Sequence, residues 1–263
     1  MLNCLRHANA RPFSITSVIK GPIENPFPLA YSPVQGGTFE YSYTTENCFP
    51  SRGFRLNCLG DVYSCVLVEE LTQLPEALSL LENKEGDVYC DGEFDHVGNK
   101  SRMALLTLLR GNTAVSFHFP SLFRPWENEE RRYFVSAGQD AGVRRLFTFI
   151  QTQRVITWGG HESDLPALSY ALPALPLPLP LWFDLQREVK LGSKDGRLPT
   201  DSPIGLAKAV EREFGVRLNK RFRKENWRLD ISPNMLAYAA VDVAVLVNLL
   251  RRFQSGTLFK QIE

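Results

Sequence analysis

No run of eighteen apolar residues occurs in the 263-residue chain, so no membrane-spanning segment is expected. Its five cysteines, Cys4, Cys48, Cys58, Cys65 and Cys90, include no C-x-x-C pair and are odd in number. That argues against a zinc site and a closed disulfide framework, and favours a reducing compartment. A strong charge of either sign is also missing. With a net charge of +1, a nucleic-acid partner must be met by a local basic patch. His96, His118 and His161 are scattered and are not read as ligands. There is no internal repeat. No acidic residue precedes Glu24, whereas Arg6, Arg11 and Lys20 do. An acid-poor start with Arg and Ser resembles an organellar transit peptide, although Pro12 interrupts the helix such a peptide needs. The expected location is intracellular, either mitochondrial or cytoplasmic or nuclear.

The chain has a hydrophobic content of 44%, enough to bury a full core. Residues 1–60 carry Pro12, Pro22, Pro26, Pro28, Pro33 and Pro50 with Gly36-Gly37. They read as an irregular N-terminal extension, an arm for targeting or for a protein partner. Residues 61–263 read as one domain.

Within that domain, residues 62–71 read as a strand running into a helix start. Thr72 is the expected N-cap of a helix over 75–82. Apolar runs at 88–90, 103–109 and 114–119 are separated by Gly98-Asn99 and Gly111-Asn112. They predict an antiparallel meander. Residues 125–132 are charged and read as a loop. Residues 141–151 have helical spacing, 155–158 a strand, and Asp164 opens the next helix. The alternating Leu and Pro of 172–181 must be extended, as a stiff connector or a ligand for a Pro-reading partner. Trp182-Phe-Asp184-Leu-Gln186 reads as a strand end and 192–203 as a loop. Residues 204–214 form an amphipathic helix closed by Gly215. Ser232 caps a long helix from Pro233 to about Gln254.

Two places carry chemistry. Asp91 and Glu93 follow the 88–90 strand, and on a strand residues i and i+2 share a face. Two carboxylates held that close repel unless a cation lies between them, and hard divalent cations prefer carboxylate oxygens. The plain alternative is a solvated strand-to-turn junction. In the last helix Tyr238 and Asp242 lie at i and i+4, on one face of an otherwise apolar segment. A carboxylate there needs the core edge or a strong partner, and a metal ion is one.

The order Asp91-x-Glu93, then Asp164, then Tyr238-x-x-x-Asp242 resembles the three exonuclease motifs of the DEDD superfamily in its tyrosine form. RNase D and the Werner-type exonuclease domain are of that form. The strings Gly205-Leu-Ala-Lys-Ala-Val210, Phe214-Gly-Val-Arg-Leu-Asn-Lys220, Asn226-Trp227 and Ile231-Ser-Pro-Asn-Met-Leu-Ala-Tyr238-Ala-Ala-Val-Asp242 are similar to the RNase D type. Asn226 stands where that type has Asp. The resemblance covers residues 62–253. It implies an α/β, ribonuclease H-like mixed sheet flanked by helices. It also implies 3′–5′ exonuclease activity with two divalent ions, Mg²⁺ or Mn²⁺, held by Asp91, Glu93, Asp164 and Asp242. Tyr238 would orient the attacking water. The implied partner is single-stranded nucleic acid, RNA favoured over DNA, with nucleoside 5′-monophosphates as product. Arg217, Lys220, Arg221, Arg223 and Lys224 form the dense basic run that would meet phosphates, unless they are a solvated loop. Phe94 would stack on a terminal base, or else serve as a core aromatic. The alternative function is a catalytically inactive exonuclease-fold module that binds RNA or serves as a scaffold.

Overall fold

The structure is a computed structural model and describes residues 41–42, 53–97, 100–126, 129–135, 141–172, 181–192, 203–218 and 220–259. Strands β1 (Tyr41–Ser42), β2 (Gly53–Cys58) and β3 (Asp61–Val68) form an antiparallel ladder. A 3₁₀ turn over Leu71–Gln73 leads into α1 (Leu74–Glu82). Then come β4 (Val88–Val97), β5 (Lys100–Arg110) and β6 (Thr113–His118), the expected antiparallel meander. After α2 (Phe119–Leu122), β7 (Arg124–Trp126) and β8 (Glu129–Phe134) form a separate hairpin. Next are α3 (Ala141–Thr152), β9 (Val155–Thr157), α4 (Asp164–Ala171), β10 (Trp182–Asp184) and α5 (Leu185–Gly192). The chain continues through α6 (Leu206–Phe214) and a 3₁₀ turn over Arg221–Lys224 to α7 (Pro233–Gln254).

Eight strands make one sheet in the order β1-β2-β3-β6-β5-β4-β9-β10. β3 runs parallel to β6, and β4, β9 and β10 run parallel to one another. The sheet is mixed and helix-flanked, as expected. Two apolar clusters lie on its two faces. On β5, Leu105 and Leu109 join the cluster of α7, while Leu106 and Leu108 join that of α1 and α3. That split is the period of two at work. Ser232 Oγ accepts from the Met235 amide at 3.3 Å and Pro233 occupies the first turn, so α7 starts where its cap predicts. Gly215 ends α6 in the left-handed region, at φ 68°. By length and composition alone, Asn234–Gln254 is apolar enough to cross a membrane, but 83% of its apolar window is buried inside the protein as a core helix.

Some expectations need correction. The sheet begins ahead of residue 61: β2 lies in the stretch read as irregular, and its Leu56 and Cys58 are fully buried against the α7 cluster. The alternation of Phe54, Leu56 and Cys58 carried that signal beneath the prolines upstream. Of the stretch 125–132, the described residues 125–126 and 129–132 are not a loop but strands of the β7–β8 hairpin. Buried Tyr133 anchors it, donating its hydroxyl to the Met103 carbonyl at 3.1 Å and meeting the Phe119 ring edge-on. Thr72 is not an N-cap but lies inside the 3₁₀ turn. Gln73 precedes α1 instead, and its side-chain carbonyl accepts from the Glu69 and Glu70 amides. The strand end at Asp184 turns at once into α5. The Gly98-Asn99 turn, residues 173–180 of the Leu-Pro stretch and residues 193–202 lie outside the described residues.

Candidate active site

On β4, Tyr89 packs against the α7 cluster while Val88 and Cys90 face the opposite one. Alternation then turns Asp91 and Glu93 toward α7, where Asp242 projects back at them. One carboxylate oxygen from each of the three lies within 4.8 Å of the others. Just beyond Glu93 the β4–β5 register shifts, and such a bulge bends a strand and re-aims its side chains. Gly92 points the other way, toward α4. A Cβ there would lie 2.8 Å from Asp164 Oδ1 and 2.7 Å from Met103 Cε, so glycine is what lets Asp164 reach the strand. Asp164 is therefore beside the three-carboxylate group, on the far side of Gly92. Its Oδ2 accepts from the Ser163 hydroxyl at 3.2 Å.

A cavity of about 360 Å³ opens over these groups, and Asp91, Glu93, Asp164, Tyr238 and Asp242 all line it. Burial, and then the neighbouring charges of Asp242 and Asp164, push the Asp91 carboxyl well above the usual range. Burial, and then Asp91 and Asp242, do the same to Glu93. Burial raises Asp164 to about 7 against the pull of its Ser163 hydrogen bond. Tyr238 is raised as well, by burial first and then by the charge of Asp242. Its phenol is thus protonated at neutral pH.

Of the described side chains of the basic run, Lys220 goes deepest. Its Nζ lies 2.6 Å from Asp242 Oδ2 and 5.1 Å from the Tyr238 ring centroid. Burial alone would lower its pKa, but the attraction of Asp242 and Asp91 outweighs that and raises it. Arg223 and Phe94 also line the cavity. Arg217 does not: it is exposed and pairs with Glu211 at 2.6 Å. Lys224 is exposed and is not among the lining residues, and the side chain of Arg221 lies outside the described residues.

Other lining residues escaped the sequence reading. Trp158 Nε1 and Gln186 Nε2 both donate to the Ile204 carbonyl, at 2.9 and 2.8 Å, and both side chains line the cavity. Asp184 is buried and accepts from the amides of Gly159, His161 and Gln186 at 2.8, 3.2 and 3.1 Å. It pins the turn that leads to Asp164. The Asp184-Leu-Gln186 string was the available signal, though nothing in it assigned the partners. His118 is a satisfied core residue. Its Nε2 donates to the Trp227 carbonyl at 2.9 Å, and its Nδ1 meets the Ser121 hydroxyl at 2.7 Å.

The donor set fits a hard divalent cation. It is oxygen-only and rich in carboxylate, and Glu93 Oε1 and Asp242 Oδ1 are buried without a hydrogen-bond partner among the described residues.

The fold is a ribonuclease H-like α/β fold, shared with solved EXO-domain and RNase D structures. The chain is similar to the Nibbler EXO domain of Aedes aegypti, with 16% identity, a TM-score of 0.59, and coverage of 72% of this chain and 86% of that one. It is similar to Escherichia coli RNase D, an exoribonuclease involved in structured RNA processing, at 19% identity and TM-score 0.53, covering 73% and 44%. It also resembles Trypanosoma brucei RNase D, solved as a GMP complex, at 16% identity and TM-score 0.52, covering 76% and 58%. The chain thus spans about half the length of those two RNase D structures. No protein-family model matches the sequence, and no curated protein matches it.

Proposed function

We propose that this chain is a metal-dependent 3′–5′ exonuclease that releases nucleoside 5′-monophosphates from single-stranded nucleic acid, RNA in preference to DNA. The observation that carries the reading is the convergence of Asp91, Glu93 and Asp242 within 4.8 Å, with two of their buried oxygens unpaired among the described residues. Asp91, Glu93 and Asp242 would hold one ion, and Asp91 with Asp164 a second. When bound, such ions supply a nucleophilic water at neutral pH and stabilise charge on the phosphate and the leaving 3′ oxygen. Tyr238, kept protonated by burial and by the charge of Asp242, would orient that water through its hydroxyl. Lys220 and Arg223 bring positive charge to the phosphate, and Phe94 offers a ring to the terminal base. The RNA preference draws on the resemblance to RNase D.

A second reading, a non-catalytic RNA-binding or scaffold module, draws on one observation: the Lys220 ammonium already neutralises Asp242. The test is incubation of purified protein with 3′- and 5′-labelled RNA and DNA strands in Mg²⁺, Mn²⁺ or EDTA, beside Asp242→Ala. A metal-dependent ladder shortening from the 3′ end, lost in the variant and faster on RNA, is the expected result. No cleavage by the wild type, with binding undiminished in Asp242→Ala, selects the second reading.

A further inference from the structure

Lys220 belongs to two parts of the cavity at once. Its Nζ bonds to Asp242 Oδ2 at 2.6 Å, and Asp91 and Glu93 attract it as well. It also lines the cavity together with Arg223. The two members of the pair are held very differently. Asp242 lies inside α7 and is buried, so its carboxylate has no room to retreat. Lys220 sits just ahead of the 3₁₀ turn, outside any helix, and its side chain is 33% exposed. An ammonium is a point charge on a flexible stem, and it changes partners more readily than a guanidinium fork does.

We propose that Lys220 is an exchangeable counter-ion: it yields Asp242 to a divalent cation and is turned over to a phosphate of the bound strand. The inference rests on the exonuclease reading and adds to it a coupling between metal and strand. The oxygens that suit a cation, Asp242 Oδ1 and Glu93 Oε1, are unpaired among the described residues. They belong to carboxylates that already attract the ammonium. A cation on them would lie beside Lys220, and like charges repel over the same range in which the ion pair attracts. Of the two sides of the pair, the lysine is the one able to move. It need not leave the cavity: the Tyr238 ring centroid is 5.1 Å from Nζ, and an aromatic ring keeps a cation favourably placed on its way out. Without a strand, Lys220 competes with the metal and weakens its binding. With the metal in place, the released ammonium is available to phosphate. Metal and strand then strengthen each other's binding, by the same factor in both directions.

The test uses the purified wild type and Lys220→Met. Calorimetric titration with Mn²⁺ alone is expected to show roughly tenfold tighter binding by the variant, the scale on which neighbouring groups tune a metal site. Anisotropy of a labelled single-stranded RNA is read in EDTA and in saturating Ca²⁺. The gain from Ca²⁺ is expected to be about fivefold larger in the wild type than in Lys220→Met, at the low end of usual couplings. In the wild type itself, acylation of Lys220 by a succinimidyl ester, read by peptide mass spectrometry, should rise on adding Ca²⁺ and fall again when the RNA follows. Equal or weaker Mn²⁺ binding by the variant overturns the proposal, as does an equal Ca²⁺ gain in strand binding. The acylation arm needs no variant, so poor folding of Lys220→Met leaves it decisive: labelling unmoved by Ca²⁺ overturns the exchange. Competition and coupling without hydrolysis in Mg²⁺ reject the exonuclease reading and keep the exchange. Hydrolysis with labelling and coupling unmoved does the reverse.

Discussion

Lys220 and Asp242 show how much one side chain governs here. Asp242 has two oxygens with different fates: Oδ2 takes the Lys220 ammonium at 2.6 Å, and Oδ1 is buried with no partner among the described residues. The lysine stabilises the cluster when no metal is present and leaves one oxygen of Asp242 for a cation. Removing it strands a buried carboxylate. Breaking a fully buried pair costs roughly 3–5 kcal/mol. Lys220 is 33% exposed and solvent screens it, so Lys220→Met is expected to cost about 2 kcal/mol in EDTA. Saturating Mn²⁺ should shrink the defect, because the ion takes over the neutralising role. Thermal unfolding with EDTA and with Mn²⁺ checks this; an equal loss in both would show that the pair does not compensate the carboxylates.

At the scale of elements, the site is a meeting of three: β4 supplies Asp91 and Glu93, α7 supplies Tyr238 and Asp242, and α4 supplies Asp164. Gly92 sets the spacing between β4 and α4. In Gly92→Ala the new methyl would sit 2.8 Å from Asp164 Oδ1 and 2.7 Å from Met103 Cε, so the Asp164 carboxylate must move from its place. A displacement of that order at a reacting centre costs on the order of 100-fold in rate. Cleavage by Gly92→Ala is therefore expected to fall at least tenfold, with a smaller effect on strand binding. Cleavage kinetics beside anisotropy separate the two, and unchanged cleavage would mean that Asp164 has no fixed place to keep.

Taken over the whole molecule, the cluster is a cost that a metal relieves. The folded chain holds the Asp164 proton up to about pH 7, whereas the ordinary value is 3.8. Between those limits the folded state binds more protons than the unfolded one, so stability falls as pH rises. Asp91 and Glu93 are raised too and act in the same direction. Lys220, whose pKa is also raised, keeps its contribution until well into alkaline pH. In EDTA the melting temperature is expected to drop between about pH 4 and pH 7. Mn²⁺ should raise it more at the higher pH, where the ligands are deprotonated. A melting temperature that climbs with pH in EDTA would contradict the buried protonated cluster. The fold also predicts where the chain tolerates truncation. A chain starting at Asp61 lacks β2, with its fully buried Leu56 and Cys58. It should lose roughly 1.5–3 kcal/mol for a side chain such as Leu56 alone. Its melting temperature should fall well below that of a chain retaining β2.

Local periodicity made part of this protein readable in advance. Asp91 and Glu93 at i and i+2, Tyr238 and Asp242 at i and i+4, the Ser232 cap and the turn-linked meander each depend on residues a few places apart. The sequence could therefore specify them, and with the motif order they implied the fold. A charge run has no such period. Which of its members faces the cleft was decided by how the loop docks. Trp227 is fully buried, its Nε1 donates to the Phe222 carbonyl, and its own carbonyl is held by His118, more than a hundred residues away in sequence. That anchoring accompanies an inward Lys220 and an outward Arg217. The closeness of Asp164 to Gly92 and the reach of Asp184 across to Gly159 are of the same kind. They join segments distant in the chain, and only the packing of the tertiary structure brings them within contact range.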